Sequence, residues 1–219
     1  MPSANRTPVL WLFALVAVIA AAVGLWLAHA IQSREAPAAD QAALRDGPLL
    51  RLPQAKPIAD FALYDDAGER FSLADIEGRW TLVFMGFSSC PHICPDTLHQ
   101  LTLAVDELRE TLAPERVPQI LFIGVDPERD TPQALRQYRE RFRDGILAVS
   151  GEDAQLRALA FQLGVHYVVP EHEAGKWYNV DHSLAVLLLD PQARWVGVLS
   201  APHDGRAISE ALQRFLAES

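Results

Sequence analysis

The chain has 219 residues, 50% of them hydrophobic and 21% charged, enough for one well-buried domain with a further segment attached. Two domains would be cramped. Its formal charge of −9 surrounds it with a negative field, which argues against a nucleic-acid backbone as partner and suits a cation or a basic protein patch.

Residues 1–7 form a short tail, and the run PVLWLFALVAVIAAAVGLWLA over 8–28 carries no charge. About 20 helical residues at ~1.5 Å each cover roughly the 30 Å of a bilayer core, so the run reads as a transmembrane anchor. Trp11 and Trp26 stand near its ends, where amphipathic rings sit among headgroups. A cleaved signal peptide is the competing reading, because AHA at 28–30 has the small-x-small form of a cleavage site. The apolar run exceeds the ~7–15 residues of a signal's hydrophobic region, which favours the anchor. Arg6 and the amino terminus place the tail in the cytoplasm and the large domain outside. Residues 29–55, rich in Ala, Pro and Gln without a sustained period, read as a tether, and 56–219 as the folded domain.

Within that domain, DFALYDDAGERFSL (60–73) is two short extended runs around a turn, a hairpin signal. TLVFMGF (81–87) and QILFIGV (119–125) are continuous apolar runs, as expected of strands covered on both faces. Between them Leu98, Leu101, Val105, Leu108 and Leu112 recur at helical spacing and stop before Pro114, which makes a βαβ unit. A second helix is predicted from DTPQ, capped by Asp130 or Thr131 and burying Leu135, Tyr138 and Phe142. A third spans about 152–163 and ends at Gly164. SLAVLLLD and RWVGVLS flank PQA as a second hairpin, and a last helix covers roughly 205–217. This order predicts an α/β, thioredoxin-like central mixed sheet flanked by helices and preceded by the N-terminal transmembrane helix.

The only two cysteines, Cys90 and Cys94, fall in FSSCPHICPDTL at the strand-to-helix turn. Pro95 lacks an amide hydrogen and suits the first helical position, which makes Cys94 the predicted N-cap. Both sulfurs then lie near the positive end of a helix dipole, which favours thiolate, the form that attacks disulfides and binds soft metals. A structural disulfide is the bland alternative, but a loop of about five residues contributes only ~2 kcal/mol. Zinc is poorly served, since no second cysteine pair exists. A third ligand would have to come from elsewhere in the chain, and the histidines are the candidates. His29 lies in or beside the anchor, His99 sits off its helix's apolar stripe, and His166, His172 and His203 occupy extended or loop-like stretches. His182, in NVDHSLAVLLLD, directly precedes a buried strand and reaches the cysteine end of the sheet if that strand is antiparallel to the central pair. Asp181 beside it is a turn residue or a partner of the ligand.

FSSCPHICPDTL, FIGVDPERDTP and VDHSLAVLLLD, in this order, resemble the Sco/SenC family of copper-binding proteins of respiratory oxidase assembly, over roughly 56–216. The resemblance implies copper ligands at Cys90, Cys94 and His182, holding Cu(I), Cu(II) or both. It implies delivery of copper to, or preparation of the thiols of, the binuclear CuA site of cytochrome c oxidase subunit II. Other copper carriers or thiol reductants would be further partners. The expected location is a bacterial-type inner membrane, single-pass, with the domain in the periplasm or its mitochondrial intermembrane-space equivalent. His92 stands where the family commonly has an acidic residue, and Ser88 where it has Thr. Asp126 matches the family's DP motif and is equally a strand-end turn residue.

The rival reading is an enzyme, a membrane-tethered thiol–disulfide reductase with Cys90 and Cys94 as its redox pair, and peroxidase chemistry or redox sensing is a third. Thioredoxin-type enzymes use CxxC and a cis-Pro before the facing strand. Here the spacing is CxxxC and DHS precedes the strand.

Overall fold

The computed structural model describes residues 16–27, 45–142, 145–173 and 175–218. The chain divides into two compact units, 1–43 and 44–219. In the first, residues 16–27 are helical. Among the described residues no helix is long and apolar enough to cross a membrane. The tail, residues 8–15 and 28 of the expected anchor, and residues 29–44 of the expected tether lie outside the described residues.

The second unit is built on a nine-stranded sheet in the order β1-β2-β11-β10-β5-β6-β7-β3-β4. The strands are β1 (Arg45–Asp46), β2 (Leu49–Lys56), β3 (Leu63–Asp65), β4 (Arg70–Phe71), β5 (Thr81–Gly86), β6 (Gln119–Gly124), β7 (Ile146–Ser150), β10 (Val186–Leu189) and β11 (Trp195–Leu199). β8 (Tyr167–Val168) and β9 (Asp181–His182) form a separate antiparallel pair. β5, β6 and β7 run parallel, and β10 lies antiparallel to β5, pairing Val186 with Phe84. Every residue of β5 and β6 is buried, which explains why both read as unbroken apolar runs.

Helices cover both faces of this sheet. α1 (Ile93–Thr111) follows β5, α2 (Pro132–Arg139) follows β6, α3 (Asp153–Gln162) follows β7, and α4 (Gly205–Ala217) closes the chain. Phe84 and Phe122 of the central strands share one face with Tyr138 of α2. On the other face Val83, Leu121 and Ile123 meet Leu159 of α3 and Leu163 just beyond it. α1 and α4 approach closely at Gly205, where a Cβ would stand 2.8 Å from the Gln100 carbonyl oxygen. Thr131 caps α2 by accepting from the Ala134 amide at 3.3 Å, as the sequence predicts. Both predicted hairpins form, β3–β4 and β10–β11.

The structure departs from the sequence reading at three points. First, the tether does not extend to residue 55, because β1 and β2 occupy 45–56 and β2 pairs with β11. Their period was hidden by a bulge: Arg51 pairs with Gly197 and Lys56 with Trp195, so residues 52–55, Pro53 among them, stand out of register. Second, β7 supplies a third parallel strand whose sequence, ILAVS, is too short to stand out. Third, α1 starts before Cys94, with His92 at the N-cap and Pro95 inside the first turn. The first four amide hydrogens of a helix have no intrahelical acceptor, so proline is tolerated at any of them and does not single out the first position.

Candidate metal centre

Phe87 leaves β5 at the carboxyl end of the sheet, and residues 87–92 turn the chain back into α1. The turn is tight: the Cys90 amide donates to the Phe87 carbonyl at 3.1 Å. Cys94, in the first turn of α1, donates its own amide to Cys90 Sγ at 3.4 Å. The two thiols are free of a disulfide bond, Cys94 fully buried and Cys90 6% exposed. Gly86 makes room for them, since a Cβ there would lie 2.8 Å from Cys94 Sγ and 3.2 Å from the Phe122 ring.

His182 arrives from β9, where it pairs with Tyr167, while the Ser183 amide donates to the His166 carbonyl. Its ring stands roughly perpendicular to those of Phe84 and Phe87, at centroid distances of 5.7 and 5.9 Å. Nδ1 lies 3.0 Å from the Ser183 carbonyl oxygen, which can only accept, so Nδ1 carries the proton and donates. In the neutral ring Nε2 is thereby left with its lone pair, 3.3 Å from Cys94 Sγ. Cys90, Cys94 and His182 present ligand atoms that all lie within 4.8 Å of one another, the three residues that sequence and resemblance single out.

The two thiols differ electrostatically. A hydrogen bond from Cys94 holds the Cys90 thiol well below the usual thiol range despite burial, helped by the Cys94 and His92 amides. The same hydrogen bond, together with burial, pushes Cys94 up. The pair thus favours thiolate at Cys90 over thiolate at Cys94.

Behind the cysteine turn stands a residue the sequence marked only as a helix cap. The fully buried Asp130 carboxylate accepts from the Ser88 amide at 2.8 Å, the Ser88 hydroxyl at 2.6 Å and the Asp126 amide at 3.0 Å. It ties the loop after β6 to the loop that carries Cys90. Gly124 leaves it space, since a Cβ there would sit 2.6 Å from its Oδ2. Burial pushes the Asp130 carboxyl up to about 6, against the pull of the Ser88 and Asp126 donors.

The other candidates lie elsewhere. His92 caps α1 without a side-chain hydrogen bond and is exposed, as are His99, His166 and Asp181. His172 binds the Pro170 carbonyl and Glu128, and His203 Nε2 donates to the Leu184 carbonyl at 2.7 Å. His29 is outside the described residues. Asp126 accepts from the Tyr178 hydroxyl at 2.9 Å and from Arg129, a network rather than a simple turn.

A thioredoxin-like sheet that brings two thiols at a strand-to-helix turn against an imidazole from a separate strand pair defines a thiol–imidazole domain for metal or redox handling. The model of the SCO1/SenC family matches residues 51–217, and the chain belongs to that family. The mitochondrial SCO1 homolog 1 of Arabidopsis thaliana is 32% identical over 184 residues, covering 84% of this chain and 50% of that protein. The mitochondrial SCO2 homolog of Bos taurus is 34% identical over 160 residues, 72% of this chain and 59% of that protein. The chain thus spans about half the length of these curated relatives. The crystal structure of Arabidopsis thaliana ScoI with copper bound superposes with a TM-score of 0.68 at 30% identity, covering 74% of this chain and 98% of that one.

Proposed function

We propose that this protein is a membrane-anchored copper carrier of cytochrome c oxidase assembly, which passes copper to, or prepares the thiols of, the CuA site of subunit II. The observation that carries the reading is the convergence of Cys90 Sγ, Cys94 Sγ and His182 Nε2 at the carboxyl end of the sheet. Two soft sulfurs and one imidazole suit Cu(I), and the nitrogen accommodates Cu(II). The Nδ1–carbonyl bond of His182 is the arrangement that orients a ligating imidazole, and Phe84 and Phe87 fix its plane. Cys90 offers a ready thiolate, and Cys94 gives up its proton when it ligates, so copper affinity rises with pH. With two thiolates and one imidazole as ligands, acceptor thiols have room to enter by exchange. Anaerobic copper titration of the reduced chain tests the reading: one copper per chain is expected, with both thiols protected from alkylation. No uptake by the reduced protein would overturn it.

Anchoring through residues 8–28 belongs to the same proposal and places the domain in the periplasm or an equivalent space. The expected result is retention in carbonate-washed membranes, with a mature chain that still contains residues 8–28. A mature N-terminus at Ile31 would replace the anchor with a cleaved signal.

A thiol–disulfide reductase is favoured by one observation, the asymmetry between Cys90, which receives the Cys94 amide and has its thiol lowered, and the more deeply buried Cys94, whose thiol is raised. The attacking and resolving thiols of an exchange enzyme are arranged in that way.

A further inference from the structure

Arg129, in the loop between β6 and α2, makes contacts that the ligand set does not require. Its Nε donates to the Asp126 carboxylate at 2.5 Å and its Nη1 to the Tyr178 carbonyl at 2.9 Å. Its guanidinium lies 3.6 Å from the centroid of the Tyr178 ring and 5.2 Å from that of Phe87. The Tyr178 hydroxyl closes the figure on the other oxygen of Asp126, and His172 stacks on Tyr178 at a centroid distance of 3.7 Å. Arg129 Nη2 is buried without a hydrogen-bond partner, a cost tolerated only where the rest of the placement outweighs it.

The two rings stand on the two segments of chain that lead to the thiols and to His182. Phe87 precedes the cysteine turn and meets the His182 ring edge-on. Tyr178 stands four residues before His182, and both it and Val180 are buried, so they anchor the segment that leads into β9. A planar guanidinium offers its faces to aromatic rings while its edge donates to a carboxylate and a carbonyl. An ammonium cannot do both.

We propose that Arg129 is a positioning residue for His182: by fixing Phe87 and the approach to β9 through Tyr178, it holds the imidazole against the thiol pair. This rests on the copper reading for its functional meaning but not for its geometry. The test uses the full chain in detergent, reduced, with Arg129→Ala and the milder Arg129→Lys, which keeps a cation beside Asp126 if the alanine variant does not fold. In the metal-free protein, NMR should show the contact between the His182 and Phe87 rings weakened by Arg129→Lys. Loss of such supporting residues commonly lowers metal affinity ~10–100-fold, so Arg129→Lys should weaken Cu(II) binding ~10-fold and dilute the nitrogen signature in its spectrum. In a His182→Ala background the same substitution should change affinity less than about two-fold, because its effect passes through the imidazole. Equal losses in both backgrounds, or an unchanged ring contact, would overturn the proposal. A chain that binds no copper yet loses the ring contact on Arg129→Lys would sink the copper reading while leaving the positioning role standing.

Discussion

His182→Ala leaves both thiols reactive and the fold intact, lowers copper affinity at least ~100-fold, and removes the nitrogen contribution from the Cu(II) spectrum. The magnitude follows from comparison: residues that only orient a ligand are worth ~10–100-fold, so a ligand itself is worth at least the upper end. The fold survives because the His182 ring is half-buried, meets Phe84 and Phe87 in T-shaped contacts, and bonds the backbone through the neighbouring Ser183 carbonyl. Cys94→Ser abolishes tight binding and also stops disulfide exchange, since it removes the resolving thiol. The two variants together separate the functions. Thiolate attack depends on the Cys90 environment, which the Cys94 hydrogen bond dominates, so reduction of an insulin-type disulfide should largely persist in His182→Ala. Unchanged copper affinity in His182→Ala, with the nitrogen signature retained, would remove His182 from the ligand set and make His92 the next candidate.

The cysteines and their setting were legible because their signals are local. Apolar runs fixed β5 and β6, the leucine stripe fixed α1, and their order placed Cys90 and Cys94 at the turn between them. His182 was legible by one step of topology: β10 is antiparallel to β5, so the residues just before it return to the cysteine end. What it could not show is that His182 rides on its own two-residue pairing with Tyr167, a partner outside the main sheet. Asp130 and Arg129 were invisible as parts of the site. Asp130 reaches Ser88 across 42 residues and Arg129 reaches Tyr178 across 49, and no spacing rule links them. The glycines follow the same logic, since Gly86 and Gly124 are needed only because Cys94 and Asp130 fold against them. The edge of the sheet was misread for the opposite reason, because the bulge in β2 erased a local alternation that a regular strand would have shown.

A framework this dependent on one buried carboxyl makes stability sensitive to pH in a definite direction. Asp130 has its folded-state carboxyl raised from 3.8 to about 6, chiefly by burial. The folded chain therefore holds this proton more tightly than the unfolded chain, and the stability it contributes is fully present below about pH 4. That contribution is lost as pH rises through about 6. A shift of about two units at ~1.4 kcal/mol each sets the change at roughly 3 kcal/mol. When protonated, the carboxyl can donate to the Ser88 hydroxyl, which rotates to accept, while both carboxyl oxygens still receive amide hydrogens. Asp130→Asn has no such freedom. Its amide nitrogen must face either the Ser88 donors or the Asp126 amide, leaving a buried pair of donors opposed at a cost of about 1–3 kcal/mol. The expected result, from urea unfolding of both proteins between pH 4 and 8, is a deficit in Asp130→Asn of about 1–3 kcal/mol at pH 4 that vanishes or reverses towards pH 7, as the parent chain loses roughly 2–3 kcal/mol. Because the same substitution loosens Ser88, two residues from Cys90, copper affinity should fall alongside. A deficit that stays constant across the range would show that Asp130 is ionised throughout, with its three donors outweighing its burial.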